Sequence, residues 1–107
     1  MEKQHHIHLV PGDVADLVFL PGDVSRAKFI AERFDKAELV AHNRQYITYT
    51  GTYQGVPVSV TSTGIGCPAL AIAMEELIKV GAKQFIRIGT CGALQPYVDL
   101  GAIIIAT

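Results

Sequence analysis

The run Phe85-Ile86-Arg87-Ile88-Gly89-Thr90-Cys91-Gly92 sets one guanidinium inside an apolar stretch and ends it on a hydroxyl flanked by glycines. An arginine side chain keeps its proton, and burying it without a counter-charge is expensive, so an anionic partner is expected. No acid lies within five residues on either side of Arg87. Two partners fit: a distant Asp or Glu paired with an arginine at a strand end, or an anionic ligand held with the N–H groups and hydroxyl of Gly-Thr-Cys-Gly.

A second element, Pro21-Gly22-Asp23-Val24-Ser25-Arg26, joins a glycine turn to a helix start. Free N–H groups and the helix dipole favour an anion there. Arg26 is a cation at the positive end of the helix, a local conflict that a bound anion would remove and that solvent would also weaken. Gly22/Arg26 and Arg87/Thr90 both follow strand-like segments, and ligands of α/β sheets collect at the carboxyl ends of strands. Two arginines and a hydroxyl at such an edge suit phosphate, whose oxygens match the guanidinium fork.

Other candidates are less specific. Gly64-Ile65-Gly66-Cys67-Pro68-Ala69 has the form of a dinucleotide fingerprint. The acid expected about 20 residues later is missing, since the next strand carries Arg87, so close strand–helix packing or a pocket wall is the better reading. Arg44, at a strand entry, is either a third cation or a solvated loop residue. His5, His6 and His8 have the spacing of a metal cluster, but a frayed N-terminal segment is favoured, and His8, between Ile7 and Leu9, is read as packed at a surface.

These residues need a scaffold. Strands are predicted at Asp16–Leu20, Glu38–Ala41, Gln45–Tyr53, Val56–Thr63, Lys83–Gly89 and Ala102–Thr107. Gln45–Tyr53 and Val56–Thr63 read as a hairpin turning at Gln54-Gly55. Helices are predicted from Val24, capped by Asp23, to about Phe34, and over Ala69–Val80, with Pro68 in the first turn and Gly81 closing it. The order βαβββαββ implies an α/β fold with a mixed sheet. The apolar Ala102–Thr107 strand would be buried on both faces, so the chain reads as the first part of a larger domain.

Composition narrows the function classes. The 107 residues carry a net charge of −1 with no basic stripe, which argues against a nucleic-acid partner. No apolar run approaches the roughly 18–20 residues of a membrane span, and the polar Met1–His6 start is unlike a signal peptide. Cys67 and Cys91 form no CxxC pair and fit reduced thiols in a cytoplasmic protein.

Taken together, Pro21-Gly22-Asp23 with Arg26, Ser62-Thr63-Gly64-Ile65-Gly66-Cys67-Pro68, and Arg87-Ile88-Gly89-Thr90-Cys91-Gly92-Ala93-Leu94-Gln95-Pro96 resemble the nucleoside phosphorylase-I family. The similarity is strongest to its uridine phosphorylases and runs almost end to end, over the N-terminal part of the family's usual domain. It implies a three-layer α/β/α fold around a twisted mixed sheet, with residues 1–107 forming part of one domain whose C-terminal half is absent. It also implies reversible phosphorolysis of a ribonucleoside, uridine and phosphate giving uracil and ribose 1-phosphate.

By match to the family's motifs, Gly22, Arg26, Arg87 and Thr90 would hold phosphate, with Arg87 and Thr90 as the catalytic residues. Arg44 matches an arginine that reaches into the neighbouring subunit's phosphate site, and His8 a histidine that crosses toward the ribose 5′-hydroxyl. Thr90 would also lie near the ribose, and Cys91 and Gly92 on the base side. Shared sites imply at least a homodimer, and family members are usually hexamers. The resemblance implies no metal and no organic cofactor, inorganic phosphate being a substrate.

The match has departures. The family's base-recognising residues belong to its C-terminal half, so base specificity is not carried over, and a purine nucleoside phosphorylase is the nearest alternative. Some uridine phosphorylases hold a monovalent cation at the dimer interface through a carboxylate and a serine; Gln45 and Ala69 stand at those positions here. A nucleosidase is disfavoured because water needs no cage of arginines. A non-catalytic phosphate- or nucleoside-binding module is the alternative from another class.

Overall fold

The computed structural model describes residues 2–106, and Met1 and Thr107 lie outside the described residues. The elements are β1 (Leu17–Pro21), α1 (Val24–Ala31), β2 (Lys36–Asn43), β3 (Tyr46–Tyr53), β4 (Val56–Thr61), α2 (Cys67–Lys79) and β5 (Gln84–Ile88). They form one mixed sheet in the order β2-β3-β4-β1-β5. β1 runs parallel to β4 and β5, whereas β2, β3 and β4 form an antiparallel meander.

Alternation along β1 explains the layering. Val18 and Leu20 point to one face and join Ile7 and Leu9 of the N-terminal segment, Ala73 and Leu77 of α2, and Val80 just past its end. Phe19 points to the other face and packs with Ala27 and Ala31 of α1, Ile47 and Val60. The helices therefore cover opposite faces, giving a three-layer α/β/α arrangement. Each fully buried side chain such as Leu20 or Leu77 contributes about 1.5–3 kcal/mol through removal from water.

Several boundaries differ from the sequence reading. α1 ends at Ala31, because Arg33 and Phe34 donate to the carbonyls of Ile30 and Ala31 and so tighten the last turn. β2 extends beyond Glu38–Ala41 at both ends and pairs with β3 from Lys36↔Thr52 to Asn43↔Tyr46, with an irregularity between Leu39 and Ala41. A second hairpin follows, turning at Arg44-Gln45. The Gln54-Gly55 hairpin lies as expected, with Tyr53 opposite Val56.

The largest correction concerns the Ala102–Thr107 strand. Residues 102–106 run beside β5 without joining the sheet, and Ile103, Ile104 and Ile105 are exposed. An apolar run becomes a strand only when a neighbour takes up its backbone groups, and no strand pairs with this one among the described residues. β5 is consequently an edge strand, so the Phe85–Gly89 run is not buried as expected, and Arg87 is exposed.

The N-terminal segment also departs from expectation. It is docked rather than frayed: Ile7 and Leu9 are fully buried, and Gln4 and Leu9 close a backbone bond of 3.0 Å. Among the described residues no helix is long and apolar enough to cross a membrane.

Candidate functional site

The carboxyl ends of β1, β4 and β5 share one edge because the three strands are parallel. Pairing continues past the strand ends, where Thr63 N–H donates to the Pro21 carbonyl at 3.0 Å and Gly64 N–H to the Gly22 carbonyl at 2.8 Å. The turn after β1 and the glycine turn after β4 are thereby laid against each other. β3 runs the opposite way, so its entry turn, Arg44-Gln45, arrives at the same edge. Ser62 fixes it there, accepting from Ile47 N–H at 2.9 Å and donating to the Gln45 carbonyl at 2.6 Å.

Arg87 lies in register with Leu20 and folds its guanidinium back over the strand ends, where Nη1 donates to the Leu20 carbonyl at 3.2 Å and to the Ile88 carbonyl. Two glycines make room for it. A Cβ on Gly22 would stand 3.3 Å from Nη2, and one on Gly89 would stand 2.9 Å from Nη1. Among the described residues no carboxylate lies within ion-pair distance of Arg87, which removes the distant-acid alternative from that set.

Arg26 sits in the first turn of α1, half-buried, and its side chain makes no hydrogen bond or ion pair among the described residues. Asp23 occupies the N-cap position as the sequence predicts, yet its side chain makes no capping bond and the first turn has no acid. The helix start is thus left with its positive end open. An open depression beside it is lined by Gly22, Asp23, Val24, Gln45, Gly64 and Ile65. Gly64 has φ 76°, and a Cβ there would stand 2.8 Å from Cγ of Gln45, so glycine is required on two counts. Of the two glycines, Gly64 lines the depression and packs against the β2–β3 turn rather than against a helix, whereas Gly66 does neither.

Thr90, Cys91 and Gly92 follow β5 on the same edge, exposed and in irregular backbone. The structure thus brings Gly22, Arg87 and Gly64 into contact and ranges Arg26 and Thr90 along the same edge. Arg44 reaches the same edge through the β2–β3 turn, but neither it nor His8 touches Arg87 or lines the Gly22–Gly64 depression. Arg44 is exposed in the β2–β3 turn with φ 54°, and His8 is exposed between two buried neighbours with φ 59°. Both are non-glycine residues in the left-handed region, a conformation that is uncommon and strained. The three N-terminal histidines do not converge: among the described residues no group of three His, Cys, Asp or Glu side chains could hold a metal ion.

Sequence reasoning passed over the polar cluster beneath the N-terminal strap. Glu76, buried with Ala73 and Leu77 on α2, accepts from His6 N–H at 2.9 Å and Ile7 N–H at 3.1 Å, and its second oxygen meets His6 Nδ1 at 2.5 Å. Burial works against its charge, but the His6 ring and the two backbone donors outweigh that and hold the carboxyl below its usual range. Asn43 Nδ2 donates to the His6 carbonyl at 2.7 Å. Close by, Tyr46 is buried and donates to the Ala69 carbonyl at 2.9 Å. Burial pushes its phenol up, the Glu76 charge adds to the rise, and Arg44 opposes it. The signal that would have found Glu76 is a lone acid on the apolar stripe of α2, three residues after Ala73.

Comparison with known proteins adds a lineage to this geometry. The phosphorylase superfamily model matches residues 16–107. A uridine phosphorylase from Thermococcus kodakarensis is 54% identical over 103 residues, covering 96% of this chain and 37% of the relative. A guanosine phosphorylase from Halorubrum lacusprofundi is 47% identical over 107 residues, covering 100% of this chain and 44% of the relative. The crystal structure of uridine phosphorylase from Vibrio fischeri superposes with a TM-score of 0.91 at 42% identity, covering 94% of this chain and 42% of that one. The chain spans less than half the length of each.

Proposed function

The chain belongs to the phosphorylase superfamily, and from that premise we propose that it is the N-terminal, phosphate-holding part of a single-domain nucleoside phosphorylase. The reaction is reversible phosphorolysis of a ribonucleoside, with uridine the first candidate substrate. A phosphate oxygen attacks C1′, the C1′–N bond breaks, and the departing electron pair goes to the base, which takes up the proton that hydrogen phosphate gives up; the sugar becomes ribose 1-phosphate.

One observation carries the reading: the Arg87 guanidinium lies between Gly22 and Gly89 with no carboxylate partner among the described residues, at the edge where α1 opens with an uncapped start. Gly22 offers close approach to the backbone, Arg26 and Arg87 neutralise the dianion, and Thr90 donates a hydroxyl to phosphate or ribose. Holding phosphate beside C1′ lowers the barrier by proximity. Its negative charge then stabilises the oxocarbenium-like sugar as the bond breaks. This chemistry asks for no redox step and no organic cofactor. Cys91 and Gly92, next along the edge, face the base.

Arg44 and His8 complete the site of a neighbouring subunit, which makes the working unit at least a homodimer and, as the resemblance implies, a hexamer. Support comes from their exposure and strained backbone, the pattern of residues displayed outward for use elsewhere. The cellular role that follows is cytoplasmic pyrimidine nucleoside salvage.

A second reading has its own support, since the guanosine phosphorylase matches over the whole chain. The test is phosphate-dependent base release from uridine and from guanosine, using the protein as its gene encodes it. Release from uridine supports the first reading, and release from guanosine alone moves the specificity to purines with the same phosphate site. Release from neither overturns the catalytic reading in favour of a binding module.

A further inference from the structure

We propose that Glu76 and Asn43 are positioning residues that lock the His5–Val10 strap to the Arg44 turn, so that His8 and Arg44 are presented to a second copy of this chain as one unit. The proposal rests on the functional reading above, because it takes His8 and Arg44 as the crossing residues. What is new is the device that aims them.

The His6 peptide is gripped from both sides. Its N–H donates to Glu76 at 2.9 Å, and its carbonyl accepts from Asn43 at 2.7 Å. Asn43 immediately precedes Arg44, and His8 follows His6 by two residues. Glu76 also holds the Ile7 N–H and the His6 ring, while the buried Ile7 and Leu9 pin the strap on either side of His8. A shift of the strap is therefore passed to the turn through one short chain of hydrogen bonds.

Energetics point the same way. A buried carboxylate is a poor source of stability, since an apolar residue of similar volume often serves as well or better. Its advantage is directional, fixing one geometry among several that apolar packing would allow. Both displayed residues hold left-handed backbone conformations, φ 59° for His8 and φ 54° for Arg44, which persist only where the surroundings over-determine them. The Glu76–His6–Asn43 cluster supplies that constraint at the two places where it is needed.

The test compares the full gene product with Glu76→Ala, Glu76→Gln and Asn43→Ala. In steady-state phosphorolysis, Glu76→Ala and Asn43→Ala should raise KM for nucleoside and phosphate about fivefold, with kcat within about twofold, the pattern of lost binding geometry. Glu76→Gln keeps an acceptor for the His6 and Ile7 N–H groups and should recover most of the loss. A lower melting temperature with both KM values unchanged means the cluster is merely structural and overturns the proposal. If the wild-type protein releases no base, the functional reading falls on its own, and amide exchange still decides the coupling. Glu76→Ala should speed exchange both in residues 5–9 and in residues 42–46; acceleration confined to the strap overturns the proposal.

Discussion

Arg87 and Gly22 fit together as a side chain and the space left for it. A Cβ at position 22 would meet Nη2 of Arg87 at 3.3 Å and the Gly64 carbonyl at 3.2 Å. Gly22 does not lie in the left-handed region, so the demand for glycine is steric rather than conformational.

Gly22→Ala should therefore displace the guanidinium more than it unfolds the protein. The expected result is a several-fold rise in KM for phosphate, with unfolding free energy changed by about 1 kcal/mol or less in urea melts. Gly22→Val should do both more severely. An unchanged phosphate KM in Gly22→Val would remove Gly22 from the site.

Arg87→Ala should lower kcat by about 10²–10³-fold, the range for losing a donor aimed at transition-state charge. Because Arg87 is exposed on an edge strand, thermal stability should hardly move. Arg87→Lys keeps the charge but loses the fork, so it should recover only part of the activity. Turnover in Arg87→Ala with wild-type dependence on phosphate would rule out this role.

Arg44→Gly separates display from stability. Glycine accepts φ 54° without the strain a side chain incurs, so the melting temperature should hold or rise slightly. Under the shared-site proposal turnover should nonetheless fall, because a neighbouring site would lose its cation. Mixing Arg44→Gly with Arg87→Ala subunits should restore activity at the sites that combine an intact Arg87 with an Arg44 from the other variant. No recovery in mixed oligomers would argue against sharing.

Glu76 gives the fold an acid-sensitive contact. Its carboxyl is held below the usual range in the folded state, so the stabilisation is complete above the unfolded value and is lost as pH falls through the folded one. Urea melts from neutral pH down through the carboxylate range should show wild type losing its advantage over Glu76→Gln at the acid end. A constant gap between the two across that range would contradict this linkage.

Much of the scaffold was legible from local signals. The Gln54-Gly55 hairpin, the helix opened by Pro68 and closed by Gly81, and the strand before Gly22 all carry residues whose backbone preferences specify them. What escaped was set by partners distant in sequence. The apolar 102–106 segment lacks a strand to pair with, so its composition alone misled. The Glu76 clamp joins positions 6 and 76, and no periodicity reports such a contact. For the site, residue types placed Gly22, Arg26, Arg87 and Thr90 on one edge, but the lodging of Arg87 between two glycines required the register Leu20↔Arg87.

The strand order sets a timetable for folding. The β2–β4 meander closes through neighbours in the chain, whereas β1 pairs only with partners far downstream, Val18 with Ser59 and Leu17 with Gln84. Local pairings form fast and distant ones slowly, because closing a long loop costs entropy before any contact rewards it. Pulse-labelled amide exchange should accordingly protect the meander before β1 and β5, and simultaneous protection would refute that sequence of events. Since the edge proposed to face phosphate exists only where β1, β4 and β5 end together, that edge is completed in the last step of folding, and a chain stalled short of β5 would have hairpins but not the proposed anion site.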